Sequence, residues 1–280
     1  MKTNRSLSLI LSLLLFANAS GQQNTYPDTN GRIKDINRFS GIESPVVVTI
    51  IYDNYLKVEG LGADWGYSVY IEGLDKTILF DTGTKPEIFE SNFMKLGIDA
   101  SKIDIMVISH EHGDHTGGIA AFVKMKTGIP VIIPHLFSQE FKSGLSEMGL
   151  LPTLIEEPAM ICPHLWTSGE FDYEIAEQAL VLDTKKGLVV MTGCSHPGIN
   201  EMLKKIKSSF GKDIYMVFGG FHLMNKSEKE MNLIISDMKA LGIEKCGATH
   251  CTGDKQIKLF KTAFGENFFE LGAGYRFTIL

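Results

Sequence analysis

His110-Glu111-His112-Gly113-Asp114-His115 places three imidazoles and two carboxylates in six consecutive residues. The stretch follows Ile103-Asp104-Ile105-Met106-Val107-Ile108, an apolar run that reads as a buried strand. After it come Thr116-Gly117-Gly118 and Ile119-Ala120-Ala121-Phe122-Val123, which read as a helix. The cluster therefore sits at a strand-to-helix corner, where side chains converge on a point outside a sheet. Neutral imidazole and ionised carboxylate are the usual nitrogen and oxygen ligands of zinc and related divalent metals. Clustered imidazoles have no evident folding benefit, so His110, His112, Asp114 and His115 are candidate metal ligands.

The same layout, an apolar run and then a small or polar corner, recurs at Asp81, His196, His222 and His250. Ligands in α/β folds collect beyond strand ends, so repetition of the layout is informative. The chain has only eight histidines. With the cluster to join, His196 in Gly193-Cys194-Ser195-His196-Pro197-Gly198 and His250 in Thr249-His250-Cys251-Thr252-Gly253 read as further ligands. His222 is balanced between a structural and a functional reading. His135 and His164 lack small-residue corners and read as structural or surface residues. Cys194 lies two residues before His196 and faces the same side if the segment is extended. A thiolate ligand and a buried inert cysteine are both open there, the second favoured. Cys251 follows His250 directly and is expected to point elsewhere.

Around these corners the chain alternates strands and helices, which argues an α/β fold with covered sheets. Strands are expected at 46–52, 67–72, 77–80, 131–133, 179–183, 188–192, 214–218, 246–249 and 275–280. Helices are expected at 86–96, 136–148, 199–209, 227–241 and 256–264. Residues 149–178 are rich in turn formers and read as an irregular surface loop. No linker divides residues 45–280, which read as one domain.

The chain's 280 residues are 44% hydrophobic and 21% charged, ordinary for a globular protein. A net charge of −6, with no run of basic residues longer than two, provides no electrostatic footprint for nucleic acid. At the start, Lys2 and Arg5 precede the apolar stretch 7–16 and the small residues Ala17-Asn18-Ala19. Residues 1–19 thus read as a secretory signal peptide, and the product as periplasmic or secreted. The apolar stretch is too short to span a bilayer well, and no cysteine follows it for lipid attachment, so no stable membrane anchor is expected after cleavage. Residues 20–44 read as a flexible leader. Four cysteines in a chain this long are not a disulfide framework, although Cys246 and Cys251 are near enough in sequence to pair.

These residues resemble the metallo-β-lactamase fold superfamily. Its His-x-His-x-Asp-His hallmark matches His110, His112, Asp114 and His115. Its earlier aspartate motif matches Phe80-Asp81-Thr82-Gly83, and its later single histidines match His196 and His250. Three stretches, 193–199, 219–223 and 249–253, look like the branch that includes dihydropterin–ribofuranosylaminobenzene phosphate synthases. The chain departs from that branch at Gly113, where a Tyr is usual, and at Asp64-Trp65-Gly66, where Glu-His-Gly is usual. The superfamily's bridging aspartate has no clear match; His222 occupies the comparable interval.

The resemblance implies a four-layer αβ/βα sandwich with a site at one edge of the paired sheets. It implies two divalent metals, with zinc expected first and iron or manganese alternatives. His110, His112 and His196 would hold one metal, and Asp114, His115 and His250 the other. Asp81 would fix a ligand histidine through its other N–H. Asp114 would also orient the nucleophile, and His222 would be a replacement ligand or an active-site acid. The leading expectation is an exported metal-dependent hydrolase of a small-molecule ester, phosphoester, thioester or lactam. A pterin-forming transferase and a non-catalytic metal-binding protein are the alternatives.

Overall fold

A computed structural model describes residues 40–280. The first sheet is built from β1 (Val46–Tyr52), β2 (Ser68–Glu72), β3 (Ile78–Phe80), β4 (Ile105–Val107), β5 (Pro130–Pro134), β6 (Leu151–Ile155) and β13 (Arg276–Ile279). Its order is β13-β1-β2-β3-β4-β5-β6. The second is built from β7 (Ala159–Cys162), β8 (Leu165–Thr167), β9 (Leu180–Thr184), β10 (Gly187–Thr192), β11 (Ile214–Gly220) and β12 (Lys245–Thr249), in the order β12-β11-β10-β9-β8-β7. Strands β3 to β6 run parallel, as do β10 to β12, while the remaining pairings are antiparallel.

Side-chain alternation sorts the strands between three apolar cores. In β10, Val189 and Met191 face the first sheet while Leu188 and Val190 face the helices. In β9, Leu180 and Leu182 point inward and Val181 outward. The inter-sheet core joins these to Val46, Val48 and Ile50 of β1 and Phe80 of β3. Buried on both faces, such strands read as continuous apolar runs.

Helices α1 (Pro86–Lys95), α3 (Ile119–Met125) and α4 (Gln139–Glu147) cover the outside of the first sheet, through Phe89, Phe93, Phe122 and Leu145. A single turn, α2 (Gly113–Thr116), precedes α3. Helices α5 (Ile199–Phe210), α6 (Glu228–Ala240) and α7 (Asp254–Phe264) cover the second sheet. Helix α5 buries Ile199, Met202, Leu203, Ile206 and Phe210, the spacing of one helical face. It stops at Gly211, whose φ of 61° closes the last turn. Helix α6 begins with Ser227 and Glu230 capping each other's backbone N–H groups. The result is the expected four-layer αβ/βα sandwich.

Residues 149–178 depart from expectation: they contain β6, β7 and β8. Strands β6 and β7 are the outer strands of their sheets, where few side chains are buried, and so carry little apolar signal. The leader also ends earlier than expected. Ile42 is buried in the inter-sheet core, and the Gly41 N–H donates to Asp183 at 2.9 Å. The expected signal peptide and residues 20–39 lie outside the described residues. Among the described residues, no helix is long and apolar enough to cross a membrane.

Candidate metal centre

Strands β3, β4, β10, β11 and β12 all end on one edge, and beyond each end stands a polar residue: Asp81, His110, His196, His222 and His250. Four tight corners aim this edge inward. Asp81, Ser195, His222 and His250 all have positive φ, between 49° and 66°. Non-glycine residues are held there only when the surroundings over-determine the backbone. Close approach of the two sheets depends on glycine. A Cβ at Gly193 would lie 2.1 Å from Ser109 Oγ, and one at Gly220 would lie 2.3 Å from the Gly193 carbonyl. Without side chains at these two points, the corner carrying His110 can meet the corner carrying His196.

Two triads of donor groups result. The ring centroids of His110, His112 and His196 are each 4.8 Å from the other two, and Nε2 of His110 is 3.3 Å from Nε2 of His196. In the second triad, His250 Nε2 is 3.2 Å from both His115 Nε2 and Asp114 Oδ2, and His115 Nε2 is 3.7 Å from Asp114 Oδ2. The His110 and His115 rings are 4.1 Å apart, so the triads abut. Donor atoms of one tetrahedral zinc, bound at about 2.0–2.1 Å, lie about 3.3 Å from one another. The second triad has that spacing, as does the His110–His196 pair of the first.

Tautomers support the fit. Asp81 is fully buried and accepts at both oxygens. Its Oδ1 takes the Ser109 N–H at 2.7 Å, and its Oδ2 takes the Ser109 hydroxyl and His115 Nδ1, each at 2.7 Å. The Ser109 proton is thereby used, so Ser109 Oγ accepts from His110 Nδ1 at 2.9 Å. Asn54 Oδ1 accepts from His250 Nδ1 at 2.9 Å. In each of these three rings Nδ1 carries a proton and Nε2 faces the centre.

The electrostatics of the two triads differ. Burial, reinforced by neighbouring imidazoles, holds His110 well below the usual histidine range and lowers His196 to about 3. Both are therefore neutral and could bind a metal without losing a proton. Burial also pulls His115 down, but the Asp81 charge and hydrogen bond, with Asp114, outweigh it and raise the ring to about 9. A metal in the second triad must therefore displace that proton. Burial raises Asp114, yet the hydrogen bond and charge of His250, with the charge of His115, hold it ionised well below the carboxylate range.

The remaining histidines separate as expected in position. His222 stands at the exposed rim, its ring centroid 4.3 Å from that of His196 and its backbone N–H 3.3 Å from Cys251 Sγ. That cysteine raises its pKa against the pull of burial. His135 and His164 lie away from the centre, near Glu156 and Asp183. The cysteines correct one expectation. All four are free, and Cys251 turns in a 3₁₀ turn towards Cys194 rather than away. Cys246, its neighbour in sequence, is buried beneath the helices instead.

Sequence reasoning missed Glu177, Asp53, Asn54 and Ser109. Glu177 is fully buried just before β9, and its carboxylate accepts from the backbone N–H groups of Cys194, Ser195 and His196 at 2.7–2.8 Å. Burial pushes its pKa up to about 7 against those three donors. Asp53 accepts from the Thr249 hydroxyl at 2.7 Å and so steadies the corner before His250. Asp53 and Asn54 follow the apolar strand β1, the same layout as the other corners, so a signal existed for them. Nothing in the sequence marked Glu177.

Trp65 overhangs the second triad. Its indole N–H donates to Asp114 Oδ2 at 2.8 Å, and its ring centroid is 5.0 Å from that of His250. Beside it, nothing lies within 4 Å of where a side chain would begin at Gly113, so that departure leaves the mouth open. The other tryptophan, Trp166, is buried in the helix-side core. Titration with Co²⁺ should quench tryptophan fluorescence saturably in the wild type and in Trp166→Phe, and not in Trp65→Phe. Equal quenching in Trp65→Phe would place the metal elsewhere.

Comparison with known proteins agrees with this architecture. The sequence model of the metallo-β-lactamase superfamily matches residues 62–191. A Methanocaldococcus jannaschii protein named 7,8-dihydropterin-6-methyl-4-(β-D-ribofuranosyl)-aminobenzene-5'-phosphate synthase is 33% identical, across 75% of this chain and 88% of the relative. The crystal structure of Tm1679, described as a metal-dependent hydrolase of the β-lactamase superfamily, superposes with a TM-score of 0.70 at 29% identity, covering 84% of this chain and 99% of that one. A diphosphatase from the PhnP family shares the fold at a TM-score of 0.57 and 13% identity, covering 84% of this chain and 97% of that one.

Proposed function

The chain belongs to the metallo-β-lactamase superfamily, and from that premise we propose that it is an exported hydrolase using two divalent metals, zinc first among them, on a small-molecule ester or phosphoester. One observation carries the reading: three buried Nε2 atoms, oriented by Asp81, Ser109 and Asn54, gather with Asp114, His112 and His196. Divalent metal bound there supplies a nucleophilic water at neutral pH and polarises the substrate's carbonyl or phosphoryl oxygen. His110, His112 and His196 would hold one ion, and Asp114, His115 and His250 the other. Asp81 holds His115 directly and His110 through Ser109, so one carboxylate orients both halves. Ionised Asp114 accepts a hydrogen bond from the attacking water and aligns it. His222, exposed at the rim, donates a proton to the leaving group. Trp65 and the space at Gly113 border the substrate. Export rests on residues 1–19 and is tested by N-terminal sequencing of the native protein.

A transferase reading is favoured by the 33% identical relative, whose name is that of a synthase. The two readings share the metal centre and differ in the acceptor, water or an organic nucleophile. Metal content per chain, measured by inductively coupled plasma mass spectrometry, is the first test. About two equivalents support the binuclear centre, about one restricts it to a single triad, and none after metal-replete purification overturns it. Turnover of bis(4-nitrophenyl) phosphate or 4-nitrophenyl acetate, abolished by chelation, then supports hydrolysis. Turnover confined to a dihydropterin diphosphate donor with an arylamine acceptor supports transfer.

A further inference from the structure

We propose that Cys194 is a metal ligand whose thiolate lies between the two triads and joins them, in place of a bridging carboxylate. This rests on the metal-centre reading above. Among the described residues, the Cys194 sulfur belongs to three donor groups, each with all its ligand atoms within 4.8 Å of one another; one joins it to His222 and Cys251, and the other two hold members of the triads. Of these two, one contains Asp114, His115 and His250; the other contains His110 and His196. Cys194 is the residue they share.

The sulfur is also held for the task. Cys194 Sγ is 3.3 Å from His115 Nε2, the ring nitrogen that faces the centre while Nδ1 bonds Asp81. A sulfur and an imidazole nitrogen on one zinc, at about 2.3 and 2.0 Å, lie about 3.5 Å apart. The backbone before and after the sulfur is pinned, because Glu177 accepts from the N–H groups of Cys194, Ser195 and His196. Ser195 then turns with a φ of 66°, so that Cys194 and His196 both face the centre. The superfamily's bridging aspartate has no clear match in the sequence, and His222, in the comparable interval, stands out at the rim.

Binding forms a metal–sulfur bond and releases the thiol proton to solvent; no oxidant or reductant takes part. Cys251 is the natural control. Its sulfur groups with Cys194 and His222 but not with either triad, and it lies against the His222 N–H and the Cys194 carbonyl. It sits behind the ligand rather than in the centre.

Cobalt substitution under reducing conditions tests the assignment. The Co²⁺-loaded wild type should show a near-ultraviolet sulfur-to-cobalt charge-transfer band in addition to visible ligand-field bands. Cys194→Ser should lose the charge-transfer band, keep the ligand-field bands at saturating cobalt, and bind metal more than about 100-fold more weakly. Cys251→Ser should keep both sets. Cadmium NMR of the wild type reads sulfur ligation from the shift of the bound ion, and needs no variant that must fold. Ligand-field bands without a charge-transfer band, or a band that survives in Cys194→Ser, would overturn the inference and leave the histidine centre standing. No cobalt binding at all would overturn both.

Discussion

Replacing His112 by alanine is expected to lower kcat/KM by more than about 100-fold and to reduce metal content together with activity. His112 is the cleanest ligand to remove. It precedes the single turn α2 and is only half-buried, so no core packing is lost with it. Its ring completes the triangle with His110 and His196, at 4.8 Å from each. Losing it leaves two imidazoles where a catalytic zinc needs three protein ligands and an open position. Loss of a group that merely orients a ligand costs about 10- to 100-fold in affinity or activity, so loss of the ligand itself sets a larger floor. The variant should unfold thermally like the metal-free wild type. Full activity with unchanged metal content in His112→Ala would reject the hydrolytic mechanism.

A second large effect is expected at a residue that touches no substrate. Glu177→Ala leaves three buried N–H groups, those of Cys194, Ser195 and His196, without their acceptor. Each unsatisfied group costs about 1–3 kcal/mol, so the metal-free protein should lose at least about 3 kcal/mol in urea unfolding. The same variant frees the corner that carries Cys194 and His196, and metal affinity should fall with stability. Glu177→Gln should be intermediate: one amide oxygen still accepts, but the amide NH₂ competes with the remaining donors. Comparing both variants in metal-free and metal-replete form separates the two effects, since metal binding only to the folded state adds stability by mass action. A change below about 1 kcal/mol in Glu177→Ala would mean that the corner holds itself without the carboxylate.

Part of the fold was legible because its signals are local. Strand β10 reads as a run of five apolar or small residues whose neighbours are turn formers, and α5 repeats its apolar face at helical spacing. Four candidate ligands occur within six residues, 110–115. His250 stands directly after β12 and His196 one short turn after β10, and strand ends in a parallel arrangement share an edge. Edge strands β6 and β7 escaped, because a strand with one neighbour and a solvated face has no continuous apolar run.

Residue types and their spacing along the chain therefore determined the layers of this protein and the histidines that gather at one edge. Only the tertiary structure decided what surrounds them. Glu177 acts on backbone N–H groups 17 to 19 residues away, and backbone groups are identical in every residue, so no side-chain pattern announces the partnership. Cys194 follows the same logic. A buried cysteine has one meaning inside a core and another beside five convergent donors, and the difference lies in which strand ends the two sheets bring together.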